Sequence, residues 1–238
     1  MAVHLGTLSR LTFHPATLYT AAWSPDSTRL AVAPFDERVQ IRAANGSGIP
    51  VTLSDELVGR VNDWSPDGHT ILIGQQNSST GQDVLSLPVS DKPQPLTPVL
   101  NSQFDEVSPR LSPDGRWLTY ISNESGRSEV YVVPFPGPGG RRQISVNGAT
   151  PVLEAITWSR DGKQLYFRDS VGALMAVDIQ AQGSEFRFGL PKQFFAAPGG
   201  AWPLDTAPDG RILAMIQADQ QVILPLTLVL NWDAEMKK

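Results

Sequence analysis

Residues 111–135 read LSPDGRWLTYISNESGRSEVYVVPF. The stretch opens on Ser-Pro-Asp-Gly and runs directly into alternating large apolar residues. Related stretches begin at Trp23 (WSPDSTRLAV), Trp64 (WSPDGHTILI), Trp158 (WSRDGKQLYF) and Thr206 (TAPDGRILAM). Proline fixes φ and suits the second position of a tight turn. Aspartate bonds backbone amides one or two residues on. Glycine supplies φ > 0 where the chain reverses. The motif therefore predicts a hairpin turn between two strands, made five times.

The motif aspartates are Asp26, Asp67, Asp114, Asp161 and Asp209, spaced 41, 47, 47 and 48 residues apart. A period of about 40–50 residues with several short strands per unit marks the blade of a β-propeller. The third unit shows four strand signals: residues 107–112, 116–122, 128–135 and 141–146, separated by NESG and PGPGG. Gly and Pro number 20 each in 238 residues, and they interrupt most windows in which a 3.6-residue period could develop. The expectation is an all-β chain, residues 1–238 forming a single propeller domain of four-stranded blades.

Ring closure is read from the ends. Residues 50–54, 94–98, 142–146 and 192–196 have the pattern of fourth strands. The last unit ends at LTLVLNW plus a charged tail, and residues 9–13 (SRLTF) form a strand without a blade. Pairing residues 9–13 with residues 226–232 would close five blades and cover an exposed edge. The alternative is a fragment of a six- to eight-bladed propeller, whose open ring would need a partner chain or a homo-oligomer to cover it.

The repeats resemble the TolB-type Pro-Asp propeller repeats, most clearly in SPDGRWLTYISNESGRSEVYVVPF. The third repeat, its FPGPGG turn and the terminal LTLVLNW also resemble the propeller that follows the kinase domain in some bacterial serine/threonine protein kinases. That resemblance implies a sensor or scaffold role, extracytoplasmic if the parent is membrane-anchored. Ser27 stands in place of the motif Gly in the first repeat, Arg160 in place of Pro in the fourth and Ala207 in place of Ser in the fifth.

Composition narrows the chemistry. The net charge is −5 with no dense basic run, which disfavours a nucleic-acid partner. No cysteine is present, so disulfides, Cys-ligated zinc and thiol nucleophiles are excluded. The opening MAVHLGTLSR lacks the pattern of a signal peptide. The most apolar run, VILPLTLVLNW, is shorter than the ~20 residues that a membrane-spanning helix needs, so membrane insertion is not expected. His4, His14 and His69 have no metal-ligand spacing, and neither a Gly-x-Ser-x-Gly elbow nor a kinase signature occurs.

Carboxylates remain. Asp63, Arg110 and Asp205 stand just before the motif tryptophans or their equivalents, and Asp105, Glu106 and Glu154 lie in loops leading in. These six residues are the candidate site, at a channel mouth where a protein, peptide or small solute would bind. Two carboxylates suitably spaced could instead cleave a glycan or ester, or bind Ca²⁺. No other cofactor is expected. Trp64 and Trp158 are expected to pack between blades.

Overall fold

The computed structural model describes residues 18–34, 38–152, 155–195, 201–207 and 209–216. Among these there is no helix, and so none long and apolar enough to cross a membrane. Among the described residues nineteen strands form antiparallel sheets in chain order. The first blade is β1 (Leu18–Trp23), β2 (Arg29–Pro34), β3 (Gln40–Ala43) and β4 (Val51–Thr52); the second is β5 (Arg60–Trp64), β6 (Thr70–Asn77), β7 (Gly81–Pro88) and β8 (Thr97–Leu100). The third is β9 (Glu106–Leu111), β10 (Trp117–Ser122), β11 (Glu129–Pro134) and β12 (Arg142–Gln143). The fourth is β13 (Ile156–Trp158), β14 (Gln164–Arg168), β15 (Leu174–Gln182) and β17 (Lys192–Phe195), with β16 (Glu185–Phe188) added. The fifth is described through β18 (Ala201–Thr206) and β19 (Ile212–Ile216). First strands of successive blades pack side by side, β1 on β5, β5 on β9, β9 on β13 and β13 on β18. This is the all-β propeller that the repeat period predicts. The pairing expected between residues 9–13 and 226–232 lies outside the described residues.

The motif turns are nearly superimposable in their chemistry. Asp114 Oδ1 accepts from Ser112 Oγ at 2.6 Å and from the Arg116 amide at 3.1 Å, while Ser112 Oγ accepts from the Trp117 amide at 3.0 Å. Asp26, Asp67 and Asp161 repeat the pattern with Ser24, Ser65 and Ser159. In the fifth turn, where Ala207 replaces Ser, Asp209 keeps the partners on Arg211 and, among the described residues, lacks the Ser hydroxyl bond. Gly115 and Gly162 take φ of 71° and 70°, and Ser27, in glycine's place, takes 58°. The motif also reaches between blades. A Cβ on Gly115 would lie 3.7 Å from Pro66 Cδ, and one on Gly162 would lie 3.7 Å from Pro113 Cδ. In these two turns the glycine sits against the proline of the turn before it, whereas a Cβ on Gly68 or Gly210 would meet nothing within 4 Å. Asp114→Ala is expected to lower stability by about 1 kcal/mol, as loss of other side-chain-to-backbone caps does, read by urea unfolding.

These bonds depress the aspartate pKa values. Ser24, Thr28 and Arg29 hold Asp26 down to about 2. Asp67, Asp161 and Asp209 are lowered through hydrogen bonds from Ser65, the Lys163 amide and Arg211 respectively. At Asp114 partial burial pushes upward, but bonds from Ser112 and Arg116 outweigh it. A carboxylate with a lowered folded pKa stabilises the protein above its unfolded value of ~3.9, and the contribution is lost as pH falls through the folded value. Stability measured by urea unfolding is therefore expected to drop between about pH 4 and pH 2. The drop should shrink when Asp26 and Asp67 are both replaced by Ala.

The core lies between blades. Trp64, 4% exposed, packs with Ala22, Ala31 and Ile41 of the first blade, and the Arg29 guanidinium lies 5.3 Å from its ring centroid. Trp158, 8% exposed, packs with Trp117, Val130 and Ile144 of the third, and its Nε1 donates to Thr119 Oγ1 at 3.1 Å. Leu111 fills the equivalent place against Leu72 and Val84. The motif residue therefore packs backward onto the preceding blade. Trp23, in the first motif, is 36% exposed.

Two features depart from the expected strand pattern. The fourth strand of the second blade starts at Thr97 rather than Gln94, because Pro95 interrupts the run and the Gln94 amide turns back to the Leu53 carbonyl of the first blade at 2.7 Å. The fourth blade also carries a strand beyond the four, β16, reached through a turn at Gly183 (φ 58°). It lays Phe186 across the joint between the third and fourth blades, with ring centroids 4.7 Å from Trp117 and 6.3 Å from Trp158.

Candidate functional site

The first strands carry bulges at matching places. The register shifts between Val61 and Asp63 in β5 and between Pro203 and Asp205 in β18; in β9 it shifts between Thr119 and Ile121 on the partner strand, next to Arg110. A bulge bends the strand and re-aims the side chains beside it. Here it turns Asp63, Arg110 and Asp205 toward the neighbouring blade.

Asp63 Oδ1 accepts from its own strand's Trp64 amide at 2.9 Å, and Oδ2 accepts from the Leu111 amide of the third blade at 2.7 Å. Arg110 approaches Asp63 at 4.0 Å and donates to the Asn62 carbonyl. Burial raises the Asp63 pKa, opposed by the Arg110 charge and the two amide bonds. Asp205 stands two joints further on, between the fourth and fifth blades, with its cation on the preceding blade. It accepts from the Thr206 amide at 2.7 Å and meets Arg160 at 3.3 Å. Arg160 Nε also donates to the Thr206 carbonyl at 2.7 Å. The Arg that displaces the motif proline thus replaces a turn-to-turn contact with polar bonds to the next blade.

Asp105 and Glu106 stand at the opposite end of β9, roughly 13 Å of strand from Arg110. Asp105 Oδ1 accepts from the Gln82 amide at 2.9 Å and Oδ2 from Asn123 Nδ2 at 3.1 Å, so it fastens the β6–β7 hairpin of the second blade to the third. Gly81 is needed for this approach, since a Cβ there would lie 2.6 Å from Asp105 Oδ1. Glu106 is 4% exposed; Ser102 Oγ donates to its Oε1, while Oε2 is buried without a hydrogen-bond partner. Burial raises its pKa, against the bond from Ser102, and the charges of Asp83 and Glu124 push the same way as burial.

The five candidate residues that the structure describes therefore do not gather at one mouth. Asp63 and Arg110 form one joint, Asp205 and Arg160 a second, and Asp105 with Glu106 lies on the other face. Glu154 lies outside the described residues. No three Asp, Glu, His or Cys side chains come together as a metal site among the described residues.

Sequence reasoning overlooked a polar groove of about 580 Å³ on the face that carries Asp105. The β6–β7 turn and the loop entering β9 form it, with Asn123 at one side. Its signal was present as the amide- and hydroxyl-rich runs QQNSST (75–80) and NSQF (101–104). Both had the look of ordinary turn composition.

No protein-family model matches the chain. Among solved structures, it is similar to a putative TolB from Agrobacterium tumefaciens, with TM-score 0.66 and 18% identity over 90% of this chain and 74% of that one. TolB from Acinetobacter baumannii aligns with TM-score 0.58 and 18% identity, over 84% of this chain and 48% of that one, so the chain spans about half its length. The Cps50 (Swd1) β-propeller domain of Myceliophteria thermophila aligns with TM-score 0.59 and 18% identity, over 85% of this chain and 62% of that one. At these identities the likeness is one of fold, and the chain is a β-propeller of TolB-like architecture.

Proposed function

We propose that this chain is a non-catalytic binding module that engages a partner through the face built from the β6–β7 turn and the loop entering β9. The observation that carries the reading is how fully three of the candidate carboxylates, Asp63, Asp105 and Asp205, are committed. Asp63, Asp105 and Asp205 each spend their oxygens on amides or cations of their own or the adjoining blade. A general acid or nucleophile needs a carboxyl group free to reach substrate. The Asp105 face, by contrast, offers the exposed side chains of Ser78, Ser79 and Gln103, which make no hydrogen bond among the described residues. Residues 1–238 would form one five-bladed ring, closed by residues 9–13 on the last blade. Within a larger signalling protein it would serve as the sensor or scaffold portion, in keeping with its resemblance to propellers that follow kinase domains.

The test compares affinity capture by the wild-type chain and two exposed variants. Ser79→Arg alters the Asp105 face, and Lys163→Glu alters the motif-turn face. A retained partner should be lost with Ser79→Arg and kept with Lys163→Glu. Loss with Lys163→Glu alone would contradict the reading, as would turnover of chromogenic glycosides or esters that disappears in Asp63→Asn.

A further inference from the structure

We infer that the groove between the second and third blades binds a neutral carbohydrate chain. The inference rests on reading this face as the binding face and adds the class of ligand.

The walls are primary amides and hydroxyls. Gln76, Ser78, Ser79, Gln103 and Asn123 line the groove, and no Lys, Arg or His among the described residues does. A phosphate or other anion would need cationic partners. A cation would need several free oxygen ligands, yet the one acid in the lining, Asp105, has both oxygens engaged. A greasy ligand would need apolar walls. Phe104, half-buried, is the one aromatic side chain in the lining among the described residues. A ring that offers an apolar face beside uncharged donors and acceptors matches a sugar, whose C–H face is apolar and whose rim is hydroxylated.

The walls are also held in place from behind. Asp83, 3% exposed, accepts from Asn77 Nδ2 at 3.0 Å and from Thr80 Oγ1 at 2.8 Å. Asn77 Oδ1 in turn accepts from the Ser79 amide at 2.9 Å. The turn is thereby fixed before any ligand arrives, which lowers the ordering cost of binding. Meanwhile the exposed side chains of Ser78, Ser79 and Gln103 make no hydrogen bond among the described residues, and they stand ready for ligand hydroxyls. An extended peptide would instead seek a sheet edge or apolar side-chain pockets, and the groove offers neither.

The experiment titrates the ¹⁵N-labelled full chain with cellohexaose, maltohexaose and chitohexaose in turn. At least one should shift the amides of residues 76–81 and 103–105. Phe104→Ala should weaken that binding about tenfold or more. Ser79→Arg, on an exposed turn, should block it while leaving the spectrum otherwise folded. The proposal is overturned if none of the three perturbs these amides, or if binding survives both variants unchanged. If a protein partner is still captured and is lost with Ser79→Arg while no oligosaccharide binds, the carbohydrate assignment falls and the binding face stands. If Ser79→Arg leaves every captured partner in place, the binding face falls with it.

Discussion

Trp158→Ala is expected to destabilise the protein by about 3–5 kcal/mol, measured by urea unfolding. The indole fills the joint between the third and fourth blades with Trp117, Val130, Ile144 and Phe186. Its removal would leave a cavity walled by two sheets, and neither sheet can collapse into it without disturbing its own pairing. It would also strip Thr119 Oγ1 of a buried donor. Trp23→Ala, at the same motif position but 36% exposed, should cost much less. That contrast separates joint packing from any intrinsic need of the motif for tryptophan.

Phe186→Ala should have an effect of the same size, about 3–5 kcal/mol, by the same measurement. Phe186 is fully buried although it belongs to a strand with no counterpart in the first three blades. It seals the joint from outside, and two arginines of the third blade bind the hairpin that carries it. Arg116 Nη1 donates to the Gly183 carbonyl at 2.9 Å, and Arg142 donates to the Phe186 carbonyl. Because Phe186 and Trp158 share one cavity, the double variant should cost less than the sum of the two single changes. Simple additivity would mean that the two rings do not support each other.

The two rings also show what the sequence makes legible. Trp158 is visible because it recurs at a fixed place before a turn motif, and repetition separates a structural position from chance. The turns are legible for the same reason. Their hydrogen bonds run within a few residues, so local chemistry decides them. Phe186 is not legible, because EFRF occurs in one blade alone and nothing in its neighbourhood marks the distant tryptophans that it covers.

The candidate site fared similarly. Asp63 and Asp205 can be picked out as charges beside the motif. Their partners, the Leu111 amide and Arg160, lie more than forty residues away and depend on how one blade meets the next. Asp105 and Glu106 are neighbours in sequence, yet Asp105 fastens a hairpin while Glu106 is almost wholly buried. That difference follows from the alternation of side chains as the chain enters β9. The groove combines a hairpin turn of one blade with an entry loop of the next, so no single stretch contains it.

The central claim is that these carboxylates fasten blades and leave binding to the loop face. It is tested most directly by the unfolding free energies of Asp63→Ala and Asp105→Ala. Each substitution strips a partly buried amide of its acceptor, Leu111 in one case and Gln82 in the other. The account predicts a loss of about 1–3 kcal/mol in both variants. Unchanged stability in both would contradict it, and would leave the two carboxylates free for chemistry.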